Sequence, residues 1–452
     1  MPDSLPERER LPVNRDDMAG LATLALAHAK AQGASDADVE VSASVGQSVT
    51  VRLGEVETVE YNRDKGMGVT VYFGLKRGNA STSDLSAEAV RRTVEAACAI
   101  ARHTAEDSAA GLPERTRLFK GDAPDLALNF PWSPPVEEAI EIARRMEAAA
   151  LAVDKRIDNS EGATVSAQEA DFIFANSLGF LNGYPTTRAS LSCGVVASTE
   201  RGMQRDYWYD VHRDRSRMAD PETIGRIAGE RVVRRLDARK VPTVEAPVLF
   251  EANVAGSLIG HFVSAASGSS LYRKASFLMD SLGKPIFAPG ITLIEDPFLP
   301  GGLASGAFDA EGVATAARAV VEQGVLMGYF LGTYSGRKLG MASTGNAGGN
   351  HNLVLAHDGL DFAALVKKMG RGLIVTELMG QGLNSVTGDY SRGAAGFWVE
   401  GGEIRFPVEE VTIAGNMKDV FRSIVAVGND VLVRGSKATG SILVESLTIA
   451  GN

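Results

Sequence analysis

Cysteine is almost absent from this chain, which has only Cys98 and Cys193 among its 452 residues. Cys98 lies in a helical pattern and Cys193 in a strand-like one. The sequence therefore predicts neither a disulfide framework nor a multi-cysteine zinc site, and it indicates a protein of the reducing cytoplasm. A chain of this length is long enough for two or three domains, each with its own core.

Long apolar runs and an excess of positive charge are also missing. No stretch approaches the roughly 18–20 apolar residues that a membrane span needs. The N-terminal segment MPDSLPERERLPVNRDD lacks the apolar core of a secretory signal. Lysine and arginine number 46 against 56 acidic residues, which gives a net charge of −10. Because nucleic-acid binding needs a concentrated basic face, the sequence predicts neither a membrane protein nor a nucleic-acid binder.

The common catalytic and phosphate-binding motifs are missing as well. No GxSxG segment supports serine-hydrolase chemistry. Gly66-Met67-Gly68 has no third glycine where a dinucleotide-binding loop needs one, and Gly283-Lys284 lacks the upstream glycine of a P-loop. We interpret the serines between Ser264 and Ser270 as small residues that let a helix end turn sharply, rather than as nucleophiles. These observations predict no cofactor in this chain.

The spacing of the histidines limits metal binding. The six are His28, His103, His212, His261, His351 and His357, and no two lie four apart. His351 and His357 could share one face of a strand, but their Cα atoms would then be about 20 Å apart. Zinc ligands each lie near 2 Å from the metal, so this pair cannot share one ion. We interpret both as surface or hydrogen-bonded histidines.

Helical and strand-like patterns alternate along the first half of the chain. Apolar residues recur at helical spacing over Asp16–Gln32, alternate with polar residues over Val39–Phe73, and predict a second helix over Ser86–His103 with Ser86 as N-cap. Further helices are predicted over Glu137–Val153 and Thr223–Lys240, with strands between them. These patterns predict a polar tail at 1–15, an α+β unit at 16–103, a linker-like stretch at 104–135 and a second α+β unit at 136–240.

Residues 241–452 change to short apolar runs joined by glycine-rich connections. The strongest hairpin signal is the pair Phe397–Glu400 and Glu403–Phe406, joined through Gly401-Gly402. So many short strands predict a mostly β domain, either barrel-like or a sandwich. The expected fold class is therefore α+β: an N-terminal region of helices and antiparallel sheet, followed by this mostly β C-terminal domain.

Several longer motifs resemble those of the TldD/PmbA family of bacterial and archaeal metallopeptidases, and specifically its PmbA (TldE) branch. These motifs are Leu258–Val263 (LIGHFV), Tyr272–Phe277 (YRKASF), Glu295–Pro297 with Gly301-Gly302, Ser343–Gly349 (STGNAGG), Gln381–Phe397 and Thr412–Met417. The similarity runs over nearly the whole chain after the polar N-terminus.

The resemblance implies that the family's zinc site is missing here. In the TldD branch, a helix with the motif HExxxH supplies two zinc-binding histidines and a catalytic glutamate, and a later cysteine is the third ligand. With the shared Arg273-Lys274 as register, Gly260 and Ala265 replace the two histidines, and His261 replaces the glutamate. No cysteine follows Cys193. The expectation is no catalytic residue and no metal ligand in this chain, with a structural role for His261.

The resemblance also implies a partner. A PmbA-like chain would be the metal-free subunit of a cytoplasmic zinc metallopeptidase that cleaves unfolded or extended peptides, with the zinc held by a TldD-type subunit. The alternative hypothesis is a stand-alone peptide-binding or regulatory protein, for example a homodimer, that joins no protease. Cleavage through an unrecognised site is a third. A paralogue with an intact HExxxH in the same genome would favour the first hypothesis.

Overall fold

The computed structural model describes residues 11–451, so residues 1–10 of the predicted polar tail lie outside the described residues. The first half contains four α-helices and seven strands. They are α1 (Arg15–Ala31), β1 (Asp36–Arg52), β2 (Glu55–Phe73), β3 (Lys76–Thr82), α2 (Ala87–His103), α3 (Val136–Leu151), β4 (Ile157–Asn176), β5 (Leu181–Asn182), β6 (Thr186–Thr199), β7 (Gly202–His212) and α4 (Pro221–Arg234).

These strands form one antiparallel sheet in the order β3-β2-β1-β4-β6-β7, with the short β5 beside β4. Strands β1 and β4 pair from Asp38↔Asn176 to Val51↔Ala163. Segments of both predicted α+β units therefore belong to the same sheet. The predicted antiparallel sheet is confirmed: the alternation over Val39–Phe73 belongs to β1 and β2, which pair antiparallel, and β3 pairs antiparallel with β2.

Two helical layers cover the same face of this sheet. Val39 and Val41 of β1 pack with α1 and α2, whereas Val49 and Val51, farther along the same strand, pack with α3 and α4. Odd-numbered residues of β1 are buried and even-numbered ones are partly or fully exposed, as the period of two in a strand requires. The opposite face of the sheet is left to polar residues.

The predicted helices of the first half are confirmed, with shifts at their ends. Ser86 caps α2 by accepting a hydrogen bond from the backbone N–H of Ala89, at 3.3 Å, as its sequence position indicates. The last helix ends at Arg234, six residues before the predicted end at Lys240. The local sequence stays helix-compatible there, but the chain turns toward the next strand.

The segment 104–135 contains only one 3-10 turn and no longer helix or strand. It nevertheless contacts the second half of the chain. Arg117 Nη1 donates to the carbonyl of Ser343 at 3.1 Å, and the N–H of Phe119 donates to the carbonyl of Gly312 at 2.9 Å. The stretch is thus a surface connection held at defined points; the predicted domain boundaries remain predictions.

The second half is mixed but dominated by strands. Its elements are β8 (Val244–Phe250), α5 (Ala252–Ala266), α6 (Gly268–Tyr272), β9 (Leu293–Asp296), β10 (Arg318–Glu322), β11 (Val325–Leu326), α7 (Thr333–Leu339), β12 (Asn352–Leu355), α8 (Phe362–Met369), β13 (Gly372–Met379), β14 (Asp389–Glu400), β15 (Glu403–Asn416), α9 (Met417–Arg422), β16 (Ile424–Val427), β17 (Leu432–Val433), β18 (Lys437–Thr439) and β19 (Ile442–Ala450).

Five of these strands close into a barrel in the order β15-β14-β13-β8-β19, because β15 also pairs with β19. A second sheet, β11-β10-β9-β12-β18-β17, forms a half-barrel beside it. The predicted hairpin is confirmed by the pairs Val399↔Ile404 and Glu400↔Glu403. Gly401 and Gly402 at its turn have φ of 61° and 74°, which glycine adopts without strain. The predicted α+β class with a barrel-like C-terminal domain is confirmed.

Glycine at position 225 lets α3 and α4 approach closely. A Cβ at this position would lie 1.9 Å from the carbonyl oxygen of Met146. We expect Gly225→Ala to destabilise the protein by about 1–3 kcal/mol, because the helices must separate. Gly20, in the exposed face of α1, is the matched control, since its Cβ would have no neighbour within 4 Å.

Gly20→Ala should stabilise the protein by about 0.5–1 kcal/mol, because alanine has a higher helix propensity than glycine. Urea-induced unfolding followed by circular dichroism measures both effects. Equal shifts of the two variants would contradict the close helix contact.

Candidate functional site

Helix α5 carries the motif positions, and its apolar face fixes its orientation. Ala255, Leu258, Ile259 and Phe262 are buried in the largest hydrophobic core, together with residues of the barrel and the half-barrel. The helix is α-helical from Ala252 to Ala266, without the local widening that would bring two positions five apart onto one face. Its other face is directed at β13, β14 and β18.

Gly260 and Ala265 cannot hold a metal ion in this arrangement. On a regular helix the two positions point roughly 140° apart. Ala265 is 1% exposed inside the apolar core, and a Cβ on Gly260 would lie 3.8 Å from Cε of Lys437. The side chain of Lys437 thus lies beside this turn, and burial lowers its pKa.

His261 is half-buried and packs edge-on against Tyr390, with ring centroids 5.7 Å apart. Its Nε2 is buried and has no hydrogen-bond partner among the described residues. Burial lowers the pKa of His261, and the positive charge of Arg392 lowers it further. The ring is therefore neutral at physiological pH, and its environment is cationic.

These residues do not fit a zinc ion. Zinc needs several nitrogen, sulfur or carboxylate ligands, and between residues 11 and 451 no group of three histidine, cysteine or acidic residues is arranged to hold a metal. The only donor of the motif, His261, lies beside the guanidinium of Arg392.

The other sequence candidates have ordinary contacts. Both ring nitrogens of His351 lie near carbonyl oxygens, those of Ala304 at 3.2 Å and Gly345 at 2.9 Å. His357 contacts the N–H of Gly359 through Nδ1 at 3.2 Å. Ser267 caps the short helix α6 by accepting from the N–H of Ser270. The interpretation of the histidines as hydrogen-bonded and of these serines as turn residues agrees with this geometry.

Two of the family-like motifs form a buried ion-pair network rather than a reactive site. Glu295 is 1% exposed and accepts from Arg318 Nε at 2.9 Å and from Asn346 Nδ2 at 2.7 Å. The N–H of His351 donates to the same carboxylate at 2.8 Å. Each oxygen of Glu295 is thereby satisfied, as burial of a charge demands. The network fixes the loop that precedes β12.

A cavity of about 430 Å³ opens beside the motif helix. Asn253, Gly256 and Ser257 of α5 form one wall, and Thr376–Leu378 of β13 and Arg392 of β14 form others. Side chains of β4 and β7, and of the residue that follows α4, close the remaining side: Glu161, Arg205, Asp206, Tyr207 and Arg235. The sequence interpretation missed Arg392 and Asn253 as site residues. Arg392 lies within the motif Gln381–Phe397, but the residues around it come from segments that are distant in the sequence.

A larger cavity of about 640 Å³ lies between the polar face of the sheet and residues 308–310. Phe172, Tyr184 and Phe308 line it, with ring centroids 4.9 to 6.2 Å apart. Burial raises the pKa of the nearby Asp309 to about 6. Burial and the charge of Glu311 raise the pKa of Asp38, on the same face of the sheet, to about 7. Burial at this junction thus disfavours the ionised forms of these two carboxyl groups relative to their protonated forms.

Comparisons with known proteins agree with this architecture. Models of the PmbA/TldA metallopeptidase family match three segments: domain 1 over residues 37–101, the central domain over 129–236 and the C-terminal domain over 243–451. The chain is 50% identical over 422 residues to Metalloprotease PmbA of Escherichia coli O157:H7, which covers 93% of this chain and 94% of that protein. It is 47% identical over 421 residues to a Metalloprotease PmbA homolog of Haemophilus influenzae, covering 93% of each.

Similarity extends to solved structures and to the other branch of the family. A Bacteroides thetaiotaomicron protein described as a candidate modulator of DNA gyrase has a TM-score of 0.91 at 29% identity, covering 96% of this chain and 98% of that one. TldE of Thermococcus kodakarensis shares the fold, with a TM-score of 0.81 at 22% identity over 96% of this chain and all of that one. A Metalloprotease TldD homolog of Haemophilus influenzae is 23% identical over 420 residues, covering 87% and 85%.

The chain has the fold of a metallopeptidase-type protein, with a barrel, a half-barrel and a helix at the motif position. The matches extend over nearly its full length. It belongs to the PmbA/TldD family. Among residues 11–451, no helix is long and apolar enough to cross a membrane.

The structural role of His261 can be tested with His261→Phe. The phenyl ring keeps the edge-on contact with Tyr390 and removes the unpaired nitrogen, so we expect thermal stability to be unchanged or raised. Phe262→Ala, in the adjacent core position, is the destabilising control, at about 3–5 kcal/mol. Zinc should shift the unfolding temperature of neither the wild type nor His261→Phe. A zinc-dependent stabilisation of the wild type that His261→Phe removes would instead identify a metal site.

Asp38 predicts a specific pH dependence. Its pKa of about 7 in the folded protein lies above the ordinary value of 3.8, so the folded state binds its proton more tightly than the unfolded state does. The contribution of Asp38 to stability is therefore fully present below pH 4 and declines as pH rises to about 7. The free energy of unfolding of Asp38→Asn, relative to that of the wild type, should therefore rise by on the order of 2 kcal/mol between pH 5 and pH 8. Urea unfolding at both pH values tests this, and an equal difference at the two would refute it.

Proposed function

We propose that this chain is the metal-free partner subunit of a TldD/TldE-type zinc metalloprotease. The observation that carries the proposal is the state of helix α5. Its motif positions hold Gly260, His261 and Ala265, and the side chain of Lys437 lies next to Gly260. A chain of a metallopeptidase family whose motif helix cannot bind the metal needs a second subunit to supply it.

Relatives from one organism support the pairing. Haemophilus influenzae has both a PmbA homolog, 47% identical to this chain, and a TldD homolog, 23% identical. Two such chains in one cell are what a heteromeric enzyme requires, so their presence in one relative's organism supports the proposal. We infer that the TldD-type chain carries the zinc, while this chain contributes walls of the substrate chamber and stabilises its partner.

We further propose that the substrates are unfolded or extended peptides in the cytoplasm. Both cysteines are buried and unpaired, which suits a reducing compartment. The open cavities at the junction of the two halves have the size of sites for peptide side chains. A folded protein would not reach the walls of such a cavity, whereas an extended chain would.

The test is cleavage of an unstructured fluorogenic peptide by this chain alone, by a TldD-type paralogue from the same organism alone, and by their mixture, each with added zinc. We expect efficient cleavage only in the mixture, together with a heteromeric complex on size-exclusion chromatography. Replacing the glutamate of the paralogue's HExxxH by glutamine should abolish it.

Two outcomes would reject the proposal. Full activity of the paralogue without this chain, and no complex between them, would favour a stand-alone peptide-binding homodimer. Cleavage by this chain alone that persists after chelation and repurification would mean that a different catalytic site exists.

A further inference from the structure

Arg392 is a half-buried cation without a counter-ion in the described chain. Among residues 11–451, no carboxylate is recorded within ion-pair distance of it, and its Nε is buried without a hydrogen-bond acceptor. A buried charged donor left unpaired is costly. Its neighbours in the same cavity differ: Arg205 pairs with Glu161 at 3.3 Å, and Arg235 pairs with Glu377 at 2.5 Å.

Further unpaired polar atoms lie around Arg392. Tyr390 is 2% exposed, and its hydroxyl is buried without a well-formed hydrogen bond. Burial raises the pKa of Tyr390 to about 12, so the hydroxyl keeps its proton. Asn253, across the cavity on α5, donates through Nδ2 to the carbonyl of Thr376 at 3.1 Å, but its Oδ1 is buried without a donor. Because the Thr376 carbonyl can only accept, the orientation of this amide is fixed.

The unpaired atoms thus form a complementary set. Arg392 offers N–H donors with a positive charge, and Asn253 offers an acceptor from the facing wall. An extended peptide segment presents the matching groups, a carboxylate oxygen and a backbone N–H. The planar guanidinium suits a carboxylate in particular, since it can form two parallel hydrogen bonds.

The other charges of the cavity disfavour a phosphate. Glu161, Asp206 and Glu377 also line it, and they would repel a doubly charged anion that approaches Arg392. A single carboxylate brings one negative charge to one unpaired guanidinium. Lys437 lies next to the same helix at Gly260 and has no carboxylate in ion-pair contact among the described residues.

We propose that the cavity between α5 and β13 is a binding site for a peptide carboxylate, held by Arg392, with Asn253 accepting from the peptide backbone. The carboxylate belongs either to the C terminus or to an acidic side chain of the peptide. The inference rests on the proposed peptide substrates but not on the partner subunit, because every residue of the site is in this chain.

The experiment measures binding of unstructured decapeptides, labelled with an uncharged fluorophore that has no carboxylate, to the purified full chain by fluorescence anisotropy. Three peptides of one sequence are compared: a free C terminus without acidic residues, its C-terminal amide, and the amide with one glutamate. We expect the uncharged amide to bind at least tenfold more weakly than one of the two carboxylate peptides. Which carboxylate peptide binds identifies the source.

Arg392→Gln is the decisive variant, and Arg226→Gln, exposed on α4 outside the cavity, is its control with the same change of charge. Arg392→Gln should weaken binding of the carboxylate peptide at least tenfold, equivalent to 1.4 kcal/mol, and Arg226→Gln less than about twofold. Arg392→Gln should also keep or raise the thermal unfolding temperature, because it removes an unpaired charge. A structural salt bridge would show the opposite.

Equal binding of all three peptides, no binding to the wild type, or equal effects of the two substitutions would overturn the inference. Its failure is distinguishable from failure of the proposed function. The cleavage assay with the TldD-type chain tests the pairing, whereas the anisotropy assay uses this chain by itself. An active pair with no carboxylate preference would reject the site and retain the subunit role.

Discussion

The pairing of β1 with β4 is the constraint on which the arrangement of the molecule depends. It joins residues more than a hundred positions apart, from Asp38↔Asn176 to Val51↔Ala163, into the centre of one long sheet. Both helical layers then lie on one face of that sheet, because the side chains of a strand alternate. The other face is free for polar residues, and the larger cavity forms where it meets residues 308–310.

Packing explains why the motif helix is stable with glycine and alanine at positions 260 and 265. The apolar face of α5 supplies the contacts that hold it in the core, through residues such as Leu258 and Phe262. Glycine and alanine at positions 260 and 265 require no partner of their own. A coordinating side chain at 265 would be a polar group in an apolar core, which is costly unless a metal pairs with it. The position of α5 in the fold therefore depends on its apolar residues and not on coordinating side chains.

The sequence predicted local structure well and long-range structure poorly. Alternation and capping residues identified the helices and most strands, including the cap at Ser86 and the turn at Gly401-Gly402. Closure of the barrel by β15 and β19, and the union of two segments through β1 and β4, depend on pairing between distant strands. No local pattern encodes such a register. Arg392 could be read in its motif, but its unpaired state depends on which acids fold near it.

The charged side chains next to His261 and Gly260 on α5 determine which ions this part of the helix favours. His261 is neutral, and the nearby charged groups are Arg392 and Lys437. A divalent cation within about 5 Å of either would be repelled by several kcal/mol at an effective dielectric constant of 20. The same potential favours an anion. The positive charges of Arg392 and Lys437 disfavour a divalent cation beside α5 and favour the peptide carboxylate that we propose for the cavity.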